Sequence, residues 1–338
     1  MLRLRIDEDT MQNHTRGPIS FVKAHRSVIG MLLLLPALTG VAFGQAKVGT
    51  TGAQFLEIGV SARAMGMAEA YTAVVNDVSS IYYNPAGLTS LLGKEFMTSY
   101  IQMPADVQYG FVGVGIPLES IGGVLGIGAN YLTSGGIKET DYNYGVIGGG
   151  LNGTGRTFYA DHLALSAAYG RYLTDRFSVG VTMRYIGMWY HDFTANGWAA
   201  DVGTMYDSGY RGFKLAMVIT NFGPDVKFIQ KAAPLPINFK FGGAFNLLEK
   251  GDHYLTFAAD GSHPSDNLEK YNAGLEYTFK DRLIIRAGER LNYDLDGLTF
   301  GAGFRLPFAQ QGELKFDYAY QDFGILTEVH RFTLGVSF

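Results

Sequence analysis

The chain has 338 residues and no cysteine, it contains 45 glycines, 21 tyrosines and 23 phenylalanines, and its formal net charge is −4. Charged residues make up 17% of it, against roughly 25% in soluble domains. Hydrophobic residues make up 47%, yet the mean hydropathy is only +0.06, which excludes a bundle of transmembrane helices with about 20 apolar residues each. The net charge gives no indication of nucleic-acid binding. Composition leaves a transmembrane β-barrel and a soluble β-rich protein equally open.

The N-terminal region has the pattern of a secretory signal peptide. Its one continuous apolar run, 28–43, follows three basic side chains and precedes small residues at a cleavage spacing. We expect a signal peptide over 1–44. Because the first 20 or so residues are polar, translation from Met11 or later is a second interpretation of the start, and an N-terminal membrane anchor is a second interpretation of the run.

The segment 45–93 lacks the two-residue period of a strand and does not resemble barrel wall. Residues 61–71 are rich in small side chains, which suit tight turns or a short helix. Asp77 or Ser79 can cap a further short helix. That helix should end before Pro85, because proline disfavours helical geometry in the residue before it.

Strand signals recur from residue 94 to residue 338. The fourteen predicted strands span 94–102, 107–117, 121–133, 157–172, 176–190, 196–207, 211–222, 236–247, 252–260, 269–279, 282–290, 296–306, 312–321 and 328–338. In several of them, 177–185 and 271–278 among them, apolar and polar residues alternate. Such a strand shows hydrocarbon to lipid on one face and polar groups to a lumen on the other.

The predicted connections alternate between short and longer ones. Short connections include 174–175 and 280–281, and longer ones include 134–156, 191–195 and 223–235. Outer-membrane barrels have short periplasmic turns and longer outer loops, and an even number of strands puts both termini on the periplasmic side. We therefore predict an all-β fold, a 14-stranded antiparallel transmembrane β-barrel over 94–338.

The last strand has one apolar face and one small, polar face. Phe332, Leu334, Val336 and Phe338 share the apolar face. The strand should run toward the periplasm and bring Phe338 to the rim, beside the first strand. We expect the terminal phenylalanine to be the mark that the barrel-assembly machinery reads.

Two stretches of the N-terminal segment carry a family resemblance. Residues 55–70, FLEIGVSARAMGMAEA, and residues 84–88, NPAGL, resemble the N-terminal signature of the PorV/PorQ family. That family is similar to the FadL-type outer-membrane transporters, whose fourteen-stranded barrels contain an N-terminal hatch with an Asn-Pro-Ala motif. The resemblance implies that 45–93 is a hatch or plug in the lumen.

The sharpest local feature of this segment is the tripeptide Asn84, Pro85 and Ala86. The resemblance implies that it shapes the plug that blocks or gates the lumen. A turn that stops a helix ahead of the first strand is the alternative.

The resemblance implies two functions for a barrel in the outer membrane of a Gram-negative, Bacteroidetes-like bacterium, in contact with outer-membrane lipid. A PorV/PorQ-type protein would act in type IX secretion, with secretion-system subunits or the C-terminal domains of exported cargo as partners. We take this as the first hypothesis. The alternative is a FadL-like transporter of hydrophobic small molecules. A purely structural or adhesin-like barrel ranks last.

Seven charged residues are predicted to face the lumen: Arg184, Glu276, Arg286, Arg305, Glu313, Lys315 and Asp317. They either line a conduit or form ion pairs that hold the wall. We favour ion pairs, because an unpaired buried charge is costly. Aromatic side chains near strand ends, Trp189 and Tyr190 among them, are expected to form interfacial girdles.

No pattern indicates an enzyme, a cofactor or a metal site. The stretch 87–94 has five residues between its glycines where a phosphate-binding loop has four. The seven histidines show no metal-ligand spacing, and there is no cysteine. In the pairs 161–162 and 191–192, an aspartate and a histidine are adjacent. We expect each pair to point to opposite faces of a strand and to form no dyad.

Overall fold

The computed structural model describes residues 48–140, 156–295, 297–308 and 312–338, so the predicted signal peptide over 1–44 lies outside the described residues. The barrel strands are β1 (Glu95–Gln102), β2 (Gln108–Leu118), β3 (Gly123–Thr133), β4 (Ala160–Thr174), β5 (Phe177–Tyr190), β6 (Phe193–Asp207), β7 (Lys214–Phe222), β8 (Asn238–Lys250), β9 (His253–Pro264), β10 (Lys270–Phe279), β11 (Leu283–Leu291), β12 (Leu298–Phe308), β13 (Gly312–Asp322) and β14 (Glu328–Ser337). All pairs are antiparallel, and β1 pairs with β14 to close the barrel. The predicted fourteen-stranded barrel is confirmed.

The two ends of the barrel differ in their connections. At the inner end, where β1 begins and β14 ends, short turns such as 175–176 and 251–252 join the strands. At the outer end lie the longest connections, 134–159 and 223–237. The barrel pattern of short periplasmic turns assigns the inner end to the periplasm.

The predicted longer loop over 191–195 is wrong. Strand β5 continues to Tyr190 and β6 already begins at Phe193, and these two residues are partners in the ladder. His191 takes a left-handed backbone with φ +49°, which suits a tight hairpin turn. The hydrogen-bond ladder therefore extends further than the sequence pattern indicated.

The wall alternates in burial as the sequence predicts. In β5, Ser178, Thr182 and Arg184 are buried while Val181 and Met183 are exposed. In β14, Thr333 is buried and its neighbours Phe332 and Leu334 are exposed. The apolar face of each strand therefore points out to lipid, and the small and polar face points into the lumen.

The lumen contains the segment 51–91, which we call the hatch. It has two single-turn α-helices, α1 (Ala62–Gly66) and α2 (Ser80–Tyr83), and two 3₁₀ turns at Gln54–Glu57 and Pro85–Ser90. Nearly all of its side chains from Val60 onward are buried. Within the described ranges, no helix is long and apolar enough to cross a membrane.

The hatch runs along the barrel from the outer end to the inner end. The amide of Gly52 donates to the carbonyl of Pro234 at 2.9 Å, and Gln54 Nε2 donates to Asp266 Oδ2 at 2.7 Å. Both partners lie in outer-end connections. The expectation that both ends of the mature chain lie on the periplasmic side is therefore wrong for the first described residues, because the hatch traverses the lumen before β1 begins.

Candidate functional site

A buried ionic network, which we call the inner network, ties the hatch to the wall. Arg63 of the hatch forms two hydrogen bonds of 2.9 Å with the carboxylate of Glu276. Arg286 bridges Glu276 and Asp317, each at 2.6 Å. Arg63 also lies 3.7 Å from Asp77, a second hatch residue. Three of the predicted lumen charges are thus brought together around a hatch arginine.

The hatch contributes two buried carboxylates that face wall or hatch cations. Burial raises the pKa of Asp77, but nearby Arg63 lowers it, and its pKa ends below the ordinary value. Burial likewise opposes ionisation of Glu69, and the guanidinium of Arg290, 3.7 Å away, helps to hold its pKa below the ordinary value. Both groups are therefore charged at neutral pH, and their charges are balanced by the surrounding cations.

Wall side chains also bind the backbone of the hatch. One oxygen of Asp260 accepts hydrogen bonds from the amides of Tyr71 and Thr72, at 2.9 and 2.8 Å, and from the Thr72 hydroxyl at 2.6 Å. Arg331 donates to the carbonyl of Gly59 at 2.6 Å. These contacts satisfy peptide groups that have no partner in a helix or sheet, as buried peptide groups require.

The predicted hatch motif lies fully buried between the two helical turns that it joins. Asn84 Oδ1 accepts a hydrogen bond from the amide of Ala86 at 3.1 Å. Asn84 Nδ2 donates to the carbonyls of Thr72 at 3.1 Å and Thr204 at 3.2 Å. The motif ends α2 and starts the next turn, and it also fastens that turn to the hatch interior and to β6.

Glycines of the wall make room for this part of the hatch. A Cβ atom at Gly203 would lie 2.0 Å from Asn84 Oδ1, and one at Gly180 would lie 2.3 Å from the carbonyl carbon of Pro85. At Gly126 the nearest hatch atoms belong to Ile81, at 2.7 Å. The hatch therefore approaches the wall backbone more closely than any residue with a side chain would allow.

The predicted residue Arg184 belongs to a second polar cluster on the other side of the lumen. It donates to Asp201 at 2.8 Å, to Asn221 at 2.7 Å and to Ser166 at 3.2 Å. Its guanidinium carbon lies 5.8 Å from the centre of the Tyr82 ring of the hatch. The arginine is 3% exposed and its charge is balanced within the wall.

The remaining predicted charges lie toward the inner end. Lys315 donates to Glu95 at 2.7 Å. With Glu313 and the terminal residue Phe338, this pair borders a cavity of about 480 Å³ below the hatch. Arg305 is half-buried, and neither it nor Glu313 forms an ion pair with the residues that the structure describes.

The terminal residue Phe338 lies beside the first strand, where its amide donates a hydrogen bond to the carbonyl of Lys94. The role of Phe338 in barrel assembly stays a prediction.

Sequence reasoning missed most of the residues that hold the hatch. Asp260 and Arg331 stand at inward positions of their strands, so the alternation itself could have identified them. Arg63 and Asp77 carry no such signal. Their partners are fixed only by the way in which the hatch enters the lumen.

An aromatic ladder, the outer cluster, links the start of the hatch to an outer loop. The rings of Phe55 and His162 are stacked, with centroids 5.0 Å apart and planes inclined by 18°. His162 contacts Tyr190 at 4.9 Å, and Tyr190 contacts Phe228 at 5.1 Å. Tyr190 thus packs against rings inside the mouth of the barrel and does not belong to a girdle, because it falls on the inward phase of β5.

The pair 191–192 also differs from the prediction. His191 Nδ1 lies 2.8 Å from Asp192 Oδ2. The two residues form the tight turn after β5, where side chains do not follow the alternation of a strand. His191 is a third exposed, and Asp192 is 82% exposed. Among the described residues, no three histidine, aspartate or glutamate side chains are placed to hold a metal ion.

A groove of about 730 Å³ indents the lipid-facing wall over β1 to β6. Its rim is formed by outward-facing apolar side chains, Phe96, Val112, Val114, Ile127, Ala129, Leu165, Ala167, Met183, Tyr185 and Trp198. Gly113 and Gly128, which are partners across β2 and β3, also border it. A Cβ atom at Gly113 would lie 2.8 Å from Val78 of the hatch. At Gly113 wall backbone lies between the groove and Val78, and at Gly128 the ring of Phe111 lies behind the backbone.

The fold is shared with several solved structures. The toluene transporter TbuX of Ralstonia pickettii superposes with a TM-score of 0.55 at 10% identity, over 82% of this chain and 97% of that one. A FadL homologue of Pseudomonas aeruginosa gives 0.53 at 10% identity, over 82% and 98%. The toluene transporter TodX of Pseudomonas putida gives 0.53 at 11% identity, over 82% and 97%. No protein-family model matches the sequence, and no curated protein is similar to it.

Proposed function

We propose that this protein is an outer-membrane transporter of hydrophobic small molecules whose hatch closes the lumen at rest. The observation that carries the proposal is the groove in the lipid-facing wall at Gly113 and Gly128, with Val78 of the hatch directly behind it. If the hatch moves away from Gly113 and the continuous ladder between β2 and β3 parts there, an apolar path opens between the lumen and the membrane. The shared fold with two toluene transporters supports the same function.

The inner end of the lumen favours a sideways exit over a direct one. Arg63 of the hatch meets Glu276, Arg286 and Asp317 of the wall toward the inner end of their strands, and Lys315 with Glu95 lies nearer the inner end still. An apolar solute would have to strip water and partners from these charges to pass between them. Such desolvation costs several kcal/mol per ion. The outward-facing side chains of the wall groove carry no charge, and Arg184, which also borders it, turns its guanidinium inward to Asp201.

A bulky side chain in the groove tests the route. Ala167 is exposed on the rim, so A167W fills the groove from the lipid side without entering the lumen. We expect cells that depend on this protein to take up toluene or a long-chain fatty acid several-fold more slowly with A167W. A302W is the matched control, because Ala302 is equally outward-facing on β12, away from the groove. Equal uptake by both variants would argue against a route through the groove.

A reversible crosslink tests whether the hatch must move. An ideal Cβ at Gly52 would lie 3.4 Å from Cβ of Ala233, close to the roughly 3.5–4.5 Å of disulfides. The chain has no other cysteine. V226A removes the methyl group that would crowd the new side chain. In the triple variant G52C/A233C/V226A, oxidation should stop uptake and reduction should restore it. Uptake that is unaffected by oxidation would show that this end of the hatch stays in place.

Secretion-associated function of the PorV/PorQ type is the second candidate. The resemblance of residues 55–70 and 84–88 to that family supports it. So does the hatch-filled lumen, since a barrel that presents cargo on its loops or lateral surface need not conduct. Deleting the gene tests it. Cargo with C-terminal sorting domains should then fail to reach the cell surface, and normal surface cargo would eliminate this candidate.

A further inference from the structure

His162 is the one member of the outer cluster that brings a polar ring into an apolar setting. The residue is 6% exposed, and it is stacked on Phe55 and in edge contact with Tyr190. Its partners across β3 and β5 are Leu132 and Met188, both buried and apolar. A phenylalanine would suit these contacts equally well, so packing does not account for the imidazole.

The Nδ1 atom of His162 has no hydrogen-bond partner among the residues that the structure describes. A buried nitrogen in that state costs free energy, and most buried polar atoms in proteins avoid it. The atom is therefore poised for a partner that the described residues do not supply. A hydroxyl group suits it, because a hydroxyl can donate to one imidazole tautomer and accept from the other.

Phe55 occupies the place that a planar ligand would take. Its ring lies 5.0 Å from the imidazole in a stacked arrangement, and it belongs to the short 3₁₀ turn that begins the hatch. The residue before this turn, Ala53, has a left-handed backbone with φ +51°. Residues with a side chain rarely adopt that conformation. Unwinding this turn relieves the strain and removes the ring from His162.

We propose that His162 is the recognition residue of a site for phenols, aromatic rings that carry a hydroxyl group, and that the ligand ring replaces Phe55. The ligand ring enters the space that Phe55 leaves and lies edge-on to the imidazole, so that its hydroxyl bonds to Nδ1 within the imidazole plane. This inference rests on the proposed transport function and names its substrate class. Displacement of Phe55 then couples ligand binding to the first movement of the hatch.

Calorimetry on the purified full-length protein in detergent micelles tests the site, with phenol and toluene as probes. The variant F55A opens a ring-sized space beside His162, as large-to-small substitutions in other cores create cavities that accept benzene. We expect F55A to bind phenol more tightly than the unaltered protein does. We also expect it to prefer phenol over toluene by about tenfold, which corresponds to about 1.4 kcal/mol.

Two variants keep the test specific. The double variant F55A/H162F retains the space but loses the nitrogen, so phenol and toluene should bind equally. F111A is the matched control, because Phe111 is a buried lumen-facing ring packed against Gly113 and Gly128, and no described imidazole stacks on it. It should accept both probes without preference. Retained heat-dependent mobility on gels shows that each barrel is folded.

Equal affinity of F55A for phenol and toluene would overturn the inference, as would a phenol preference that survives in F55A/H162F. Tighter binding of octanoate than of phenol would overturn it in favour of a carboxylate ligand. The binding experiment and the uptake experiment test the two proposals independently. Phenol-selective binding with no uptake of any apolar solute would refute the transport function and leave the site standing. Uptake of toluene without a preference for phenol in binding would refute the site and leave the transport function standing.

Discussion

The two halves of the hatch are held in the barrel by different forces. Residues 59–77 carry the ionic contacts, through Arg63, Glu69 and Asp77, and their backbone around Met67 also packs onto wall glycines such as Gly274. Residues 78–91 contain no charged side chain and are held by the fit of the backbone around Pro85 onto wall glycines and by hydrogen bonds such as those of Asn84. Only the first half therefore depends on charge, whereas both halves are close-packed against wall backbone.

The difference indicates which half is sensitive to the loss of a charge. Ion pairs can be exchanged for water once a path for water opens, and their net worth in a buried site is small when both partners are rehydrated together. Close packing has no such alternative, because every contact that is lost leaves a void. We therefore compare the halves by hydrogen exchange of the peptides 59–77 and 80–91, which reports the free energy of local opening of each.

The largest effect is expected from R63A. Removing the arginine leaves Glu276 and Asp77 with one cation fewer in a buried setting, which costs about 3–5 kcal/mol for a broken buried pair. Protection of 59–77 should fall accordingly, while that of 80–91 changes far less. R305A is the control, since Arg305 is half-buried and has no ion pair with a described residue. Equal loss of protection in both peptides would mean that the hatch opens as one unit.

The second effect comes from G180A on the other half. The added methyl group would lie 2.3 Å from the carbonyl carbon of Pro85, and overpacking of this kind costs about 1–3 kcal/mol. Protection of 80–91 should fall and that of 59–77 should persist. In G261A the nearest atom to the new methyl group lies 3.7 Å away, so that variant should match the unaltered protein. If G180A leaves the protection of 80–91 unchanged, the hatch can shift away from the wall without a loss of stability.

A smaller effect is expected from N84A. It removes the acceptor for the Ala86 amide and the donor to Thr72 and Thr204, which together are worth about 1–2 kcal/mol. N84S keeps an acceptor near the Ala86 amide and loses the donor, so it should recover about half of the loss. The same exchange experiment gives both values. Full recovery in N84S would show that the bonds to Thr72 and Thr204 contribute little.

Acid should produce the smallest change, and only in the first half. The pKa values of Asp77 and Glu69 are lowered in the folded protein, by Arg63 and Arg290 against the opposing effect of burial. Their stabilisation is therefore fully present above the ordinary carboxyl pKa of about 4 and is lost as the pH falls through the lowered values. Exchange of 59–77, corrected for intrinsic rates, should accelerate below about pH 4. Acceleration confined to 80–91 would contradict this assignment.

The strands of the wall could be predicted from the sequence because the signal lies within each strand. Alternate residues of one strand face lipid and lumen, as Thr182, Met183 and Arg184 do in β5. No partner is needed to identify these faces. The turn at 191–192 was missed because a turn of two residues leaves no break in the composition, and polar residues near a strand end are typical of loops as well.

The contacts between the hatch and the wall could not be predicted in the same way. Arg63 and Glu276 are 213 residues apart, and Gly203 meets Asn84 from a strand that carries no sign of the contact. These pairs depend on the depth and rotation of the hatch inside a closed wall. The alternation identifies Arg184, Glu276 and Asp317 as inward-facing, but it does not identify Arg63, the hatch arginine that binds Glu276.

The start of the hatch at the outer end has a consequence for how the protein is built. Residues 51–54 reach the outer loops through the lumen, and β1 meets β14 only after the whole hatch. The N-terminal segment therefore serves as the core around which the wall wraps, and the seam between β1 and β14 encloses it. A hatch substitution should then reduce the yield of assembled barrels before it changes what they transport. Assembly and the gating proposed above then depend on the same residues.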